Sequence, residues 1–395
     1  MKSNYKALSE LIEKVDERNA DGAITELIGV SIDKCFIKSV ANTNGTDLSK
    51  YKIIRKNEFA VSLMQVSRDS KIPIARLEDY DVAIMSPAYP IFRVKDTSVV
   101  LPEYLEMWFK RPEFDREAAF IAVGGVRGSM PWEEFAKMKL PVPPMDKQKN
   151  IVKAYKTITD RIALKQKIND NLEATAQTLF KATFIDYENA DENDLIEFEF
   201  GKYPASWQLV DLDTVVDVRD GTHDSPSPTE KGKLLITSRH LLPYGIDRTD
   251  AYFISEADYN KANERSKVEY GDILFSMIGT IGIISFITEK NVDFAIKNVG
   301  LFRTSQNPTM RYYILLYLKS RIVENYIASY MAGSTQSYVS LSVLRKIPFI
   351  LPPEDVISRF EQQVAPLFTE LIANTEEIAK LDSLKEILTE LLSSR

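Results

Sequence analysis

A single shift lays much of this chain over itself. Moved by 209 residues without a gap, Tyr104 falls on Tyr313, Lys110 on Lys319 and Gly124 on Gly333. The same shift puts Lys137 on Lys346, Pro143 and Pro144 on Pro352 and Pro353, and Asp146 on Asp355. Beyond the prolines it keeps the apolar positions in step: Ile151 with Phe360, Tyr155 with Val364, Ile158 with Leu367, Ile162 with Leu371, Leu172 with Leu381 and Leu179 with Leu388. A shift of 201 pairs Leu8 with Leu209, Leu11 with Leu212, Asp16 with Asp217 and Arg18 with Arg219 near the two beginnings. The middles do not align. Two units with common ends and different centres are what such a pattern requires, and internal similarity of this kind outranks any single motif.

Each unit closes on the same junction: an apolar, strand-like run, a double proline, and then a long stretch with helical periodicity ("KLPVPPMDKQ" at 139–148, "RKIPFILPPEDV" at 345–356). Proline drives the preceding residue out of the helical region yet is well tolerated in a first helical turn, so it punctuates strand to helix. After the first junction Ile151, Tyr155, Ile158 and Ile162 recur at 4-3-4 spacing, and Leu164, Ile168, Leu172, Ala176 and Leu179 continue the stripe. After the second, Val356, Phe360, Val364, Leu367, Leu371, Ile378, Leu381, Leu384 and Leu388 form a seam, with Asn374 as a polar interruption and Pro366 near the start. A stripe so narrow and long suits two helices packing side by side. About 36 residues make a rod of roughly 54 Å.

The plan that follows is α+β: a globular unit over 1–144, a helix over 145–184, a connector over 185–200, a second globular unit over 201–352 and a second helix over 353–395. The connector "IDYENADENDLIEFEF" has seven acidic residues and no basic ones, and reads as solvated. Within the globular units, residues 83–94, 233–238 and 272–279 read as strands and 102–121 as helical. The longest apolar run, 277–287, is too short to span a bilayer and also reads as a strand. With one cysteine, Cys35, no internal disulfide forms, and two histidines make a Cys/His metal site improbable. The Met1 end has no basic-then-apolar signal pattern, so a cytoplasmic protein without a membrane partner is expected.

Catalytic motifs are scarce. There is no G-x-x-x-x-G-K-[ST] loop; the glycines at 123–129 do not open a βαβ unit; and no glutamate is followed two residues on by lysine, the usual half of many nuclease metal sites. His223 and His240 offer no credible Ser/His/Asp grouping. "SPAY" at 86–89 partly resembles the base-gripping loop of amino-methyltransferases, but it lacks the second proline and a preceding glycine-rich cofactor loop, and reads better as a strand edge.

Donor-rich segments are more informative. The net charge is −7, yet residues 31–76 hold nine Lys/Arg against four Asp/Glu, an excess that suits a phosphate backbone. Its candidates are Lys34, Lys38, Asn42, Lys52, Arg55, Lys56, Gln65 and Arg68. "DGTHDSPSPTEKGK" (220–233) and "ITSRHL" (236–241) add Thr222, His223, Lys231, Lys233, Ser238 and Arg239, and Thr280 lies in the next glycine turn. Two matched loops of small residues, 124–131 and 333–340, carry Arg127 and Ser129 in one and Ser334, Thr335 and Gln336 in the other. Arginine suits guanine and glutamine suits adenine at the major-groove edge.

On these residues the chain resembles the specificity subunits of type I restriction-modification systems. "ELIGVSIDKCFI", "VANTNGTDLSKYKIIRKNEFA" and "SPAYPIFRV" are similar to one kind of target-recognition domain; "VVDVRDGTHDSP", "LLITSRHL", "YGDILFSMIGTIG" and "MAGSTQSYVSLSVLRKIPFILPP" are similar to another. The resemblance implies two α/β target-recognition domains in pseudo-two-fold arrangement, separated by two long antiparallel, coiled-coil-like helices. It implies a non-catalytic chain whose domains each read half of a bipartite site in double-stranded DNA, with methyltransferase subunits docked on the helices. Restriction/translocase subunits would complete the complex. No cofactor is expected on this chain; S-adenosylmethionine, ATP and Mg2+ belong to the partners. One departure stands out: Gln148 follows the first prolines, but Ile357 holds the matching place in the second copy. Two other readings remain, a stand-alone methyltransferase or nuclease with a degenerate site, and a coiled-coil adaptor that touches no nucleic acid.

Overall fold

The computed structural model describes residues 4–39, 47–64, 66–123, 128–188, 191–332 and 338–391. Contacts group them into two units, Met1–Ala163 with Ala379–Arg395, and Leu164–Ile378.

The first unit is built on a four-stranded antiparallel sheet, in the order Ile12–Val15, Ile91–Val94, Phe59–Val61, Ile74–Arg76. Phe59 and Phe92 stack at 5.2 Å, and Phe109 meets both edge-on. Helices Pro102–Phe109 and Pro112–Ala122 cover this core, broken from each other where Pro112 cannot extend the first. Strands Lys52–Arg55 and Val82–Met85 pair antiparallel in a second layer, beside the hairpin Ile28–Val30 with Phe36–Lys38. The strand Tyr5–Ala7 pairs with Lys139–Pro141, which ends at the double proline. The "SPAY" stretch is a turn between Val82–Met85 and Ile91–Val94, closed by the Tyr89 amide on the Ser86 carbonyl.

In the second unit the main sheet runs Val218–Asp220, Val299–Phe302, Ile273–Ser276, Ile284–Phe286, again antiparallel throughout. Its strand order repeats that of the first unit, although the sequences of these segments do not align. Here the second layer differs: Lys233–Ile236 pairs antiparallel with Tyr252–Ile254 and parallel with Phe294–Ile296. The apolar run 277–287 is not one strand. It leaves Ile273–Ser276, turns through Gly279 and Gly282 at φ +77° and +90°, and returns as Ile284–Phe286. Left-handed backbone of this kind favours glycine and ends a strand.

The 209-residue shift holds at the level of elements. Helices Pro102–Phe109 and Arg311–Leu318 start and stop in step, and the long helices begin at Met145 and Glu354. A buried hydrogen bond recurs too: Tyr104 donates to the Pro141 carbonyl (3.1 Å), and Tyr313 to that of Ile350. The 201 shift does not hold. The Leu8 amide donates to Met138 and the Leu212 amide to Ile347, so Leu8 corresponds to Leu212, a shift of 204. The repeated Asp-x-Arg had aligned side chains that hold different places in the strands.

The long helices run Met145–Phe184 and Glu354–Leu391. Within the second unit they pack antiparallel: Phe180 and Phe184 meet Phe360, while Lys165 and Asn169 meet Asn374. The helix Glu354–Leu391 continues through Pro366, where buried Val364 and Phe368 hold the flanking turns. The acidic stretch 185–200 is not a solvated connector. Leu195–Phe198 pairs with Gly201–Pro204, the buried Tyr187 donates to the Lys202 carbonyl (2.7 Å), and Phe198 and Phe200 pack on the core. The seating of Ile185, Tyr187, Phe198 and Phe200 outweighs charge that stays at the surface. No helix among the described residues is long and apolar enough to cross a membrane.

Candidate nucleic-acid interface

The two small-residue loops end at equivalent anchors. The Met130 amide donates to Leu63 (2.8 Å) and the Val339 amide to Met277 (2.9 Å), in each case the turn that follows the same sheet strand. Beside these anchors Met64 and Ile278 are exposed (49% and 43%). Asn42, Gln65, Arg127, Ser334, Thr335 and Gln336 lie outside the described residues.

Several candidates of the basic segment are structural. Lys34 is a correction: its side chain is 7% exposed, bonded to Asp115 (2.8 Å) and to the Phe109 carbonyl, so it cannot meet a phosphate. Desolvation holds its ammonium below the usual lysine range. Lys52 is mostly buried between Asp16 (3.3 Å) and the Tyr89 carbonyl (3.1 Å). Counting charge over 31–76 misses carboxylates that arrive from elsewhere in the chain. Arg55 pairs with Glu17, Lys56 with Asp81 and Arg68 with Asp69, but these pairs are exposed. Exposed pairs contribute about 0–1 kcal/mol and exchange readily for a phosphate. Lys38 is exposed with no ion pair among the described residues.

In the second unit Arg239 is occupied by the Asp250 carbonyl (2.9 Å) and His240. Lys231 and Thr280 are exposed, Lys233 lies over the Tyr259 ring, and half-buried Ser238 opens the turn Ser238–His240. Ser129 is half-buried next to the first anchor. Thr222 and His223 belong to a tight crossing, where the Thr222 amide donates to Ile296 and the Asn298 amide to Thr222. Gly221 is required here, because a Cβ would stand 2.4 Å from the Ile296 carbonyl oxygen. His223 lies 3.0 Å from Asp220 and 2.8 Å from Asn298, and the buried Asp220 also binds Arg265. The sequence reading missed Asp220, Arg265 and Asn298, since only the loop at 220–233 signalled this place. Among the described residues no group of His, Cys, Asp and Glu could hold a metal ion.

This fold is that of a type I restriction-modification specificity subunit. The chain matches the solved S subunit of such a system from M. genitalium over 99% of its own length and 96% of that chain, with TM-score 0.59 and 14% identity. It is 25% identical over 305 residues to the type I restriction enzyme MjaIX specificity subunit of Methanocaldococcus jannaschii, covering 73% of this chain and 67% of that one. To the HindI specificity subunit of Haemophilus influenzae it is 20% identical over 375 residues, covering 78% and 80%. Residues 66–174 and 204–389 match the type I restriction modification DNA specificity domain, and the chain belongs to that family. Its task is DNA recognition in a type I restriction-modification system, together with the other subunits of that system.

Proposed function

We propose that the two globular units each read one half of a bipartite double-stranded DNA site, and that the long helices dock methyltransferase subunits. The observation that carries this reading is the repeated sheet order under unlike second layers, one scaffold presenting two different surfaces. A reader of one undivided site has no use for two such surfaces. Apolar side chains left exposed on the helices support docking: Leu164 on the first, Leu384, Ile387 and Leu391 on the second. The chain itself is non-catalytic; S-adenosylmethionine, ATP and Mg2+ act on the methyltransferase and restriction/translocase partners. Lys38, Arg55, Lys56 and Arg68 contribute phosphate contacts, and the anchored loops with Arg127 and Gln336 contribute base contacts.

Methylation mapping in a host that carries the complete system tests this reading. A split motif, two short sequences separated by a spacer of constant length, is the expected result. An undivided motif would sink it. Equilibrium dialysis separates the stand-alone enzyme reading, which requires S-adenosylmethionine to bind the purified chain without partners.

A further inference from the structure

The two units carry different chemistry at one corresponding place. In the first, Lys14 pairs with Phe92 across the sheet and its ammonium lies 4.6 Å from the Trp132 ring. Trp132 packs in turn on Phe92 (5.7 Å) and Phe135 (5.3 Å). In the second unit Asp220 pairs with Gly300, and the 209-residue shift puts Leu341 at the place of Trp132. The Trp132 ring is thereby replaced by a smaller side chain. A cleft of about 470 Å³ opens there, lined by Asp220, His223, Arg265, Asn298, Ile278 and Tyr338 among others.

The cleft is a built site. Asp220 is 4% exposed and holds two outward-facing groups at once, Arg265 (50% exposed) through one oxygen and His223 (64% exposed) through the other. Asn298, at φ +53°, fixes the second ring nitrogen of His223. Both planar groups are thus oriented before any ligand arrives. Among the described residues only Nη2 of Arg265 has a hydrogen-bond partner, so guanidinium donors remain for a ligand. Exposed Ile278 and Tyr338, bridged to each other, supply an apolar wall beside the loop anchor at Val339.

We propose that this cleft reads a base edge in the half-site of the second unit, with Arg265, positioned by Asp220, donating to an acceptor-rich edge. Guanine presents two acceptors, O6 and N7, in the major groove, and an arginine fork is the usual match. This rests on the bipartite-reading proposal and deepens it. A buried carboxylate that orients an arginine lowers the ordering cost of the contact and penalises edges that offer donors.

The test compares methylation motifs written by the assembled complex with wild-type chain, Arg265→Ala and Arg265→Lys. Arg265→Ala should lose preference for guanine at one position of one half-site, by about tenfold or more, with the other half-site unchanged. Arg265→Lys keeps the charge without the planar fork and should lose the same preference while keeping overall DNA affinity. Thermal unfolding of each variant checks folding; if Arg265→Ala fails to fold, Arg265→Lys decides. An unchanged motif in a folded variant would overturn the proposal. So would an equal loss on every sequence with a shallower salt dependence, the mark of a phosphate contact. A wild-type chain that writes no split motif would instead defeat the bipartite reading itself.

Discussion

Glu361 lies beneath the first turn of the helix Arg311–Leu318, where its Oε1 accepts the amides of Tyr312 (2.9 Å) and Tyr313 (2.8 Å). Burial pushes its carboxyl up to about 7, against the pull of those amides and of Arg311. The folded chain therefore keeps a proton that the unfolded chain loses near 4.5. The stability this proton contributes is fully present below that value and is lost as pH rises through about 7. Glu361→Gln accepts the same amides without ionising. It should flatten the decline and raise stability at about pH 8 by up to roughly 3 kcal/mol. Urea unfolding at about pH 5 and about pH 8 measures this; parallel losses in variant and wild type would contradict it. Asp272, also raised by burial, leaves a residual slope. Lys34 yields a prediction of another kind. Its removal leaves Asp115 buried with, among the described residues, the Ile72 amide alone on its carboxylate, so Lys34→Ala should cost about 3–5 kcal/mol in thermal or urea unfolding. Loss of DNA affinity at unchanged stability would return Lys34 to the interface.

At the scale of elements, the double-proline junction is legible because its cause is local. The carbonyls of Pro144 and Pro353 accept early helical amides, those of Gln148 and Ile357, and the N–H that proline lacks is not needed at a helix start. What those two residues do is not local. Gln148 is fully buried and ties the start of the helix Pro102–Phe109, accepting from Leu101 (2.9 Å) and donating to Val99 (2.9 Å) and Pro143 (2.8 Å). Ile357 is apolar and buried, and Glu361, one turn later, holds the equivalent helix instead. The unmatched glutamine is thus a relocation of one function within the helix. Gln148→Ile, which copies the second unit without its glutamate, should destabilise by about 2–4 kcal/mol through unpaired buried groups. Calorimetry on the full chain checks this; a neutral result would show that the junction needs no such tie. The acidic stretch 185–200 misled for the same reason: charge count is local, whereas the pairing of Leu195–Phe198 and the seating of Phe198 depend on the core.

For the whole molecule, the repeat in sequence and the units in space divide the chain differently. The repeat places the boundary near residue 200, whereas contacts assign Leu164–Ile378 to one unit. Ala176, Phe180 and Phe184, from the first half of the sequence, are buried in the core of the second unit with Phe360, Val364 and Phe368. Lys165, Asn169 and Asn374 add a polar layer to the same helix pair, a device that fixes partner and orientation at some cost in stability. A fragment 164–378 should therefore fold cooperatively and melt higher than monomeric 201–395, which lacks the aromatic side chains of the first helix. Circular dichroism melts of the two fragments decide; a higher midpoint for 201–395 would show that the first helix contributes little to this core.

The sequence by itself determined the strand-to-helix junctions and the long helices, because each rests on backbone propensity or periodicity within a few turns; it also showed the two-fold repeat, through matches 209 residues apart, and the resemblance to DNA specificity subunits, through whole segments. Tertiary structure alone decided the common sheet order of the dissimilar middles, the burial of Lys34 and the joining of Asp220 to Arg265 and, through His223, to Asn298. These depend on which distant strands pair and which side chains leave water together, and no local pattern encodes either.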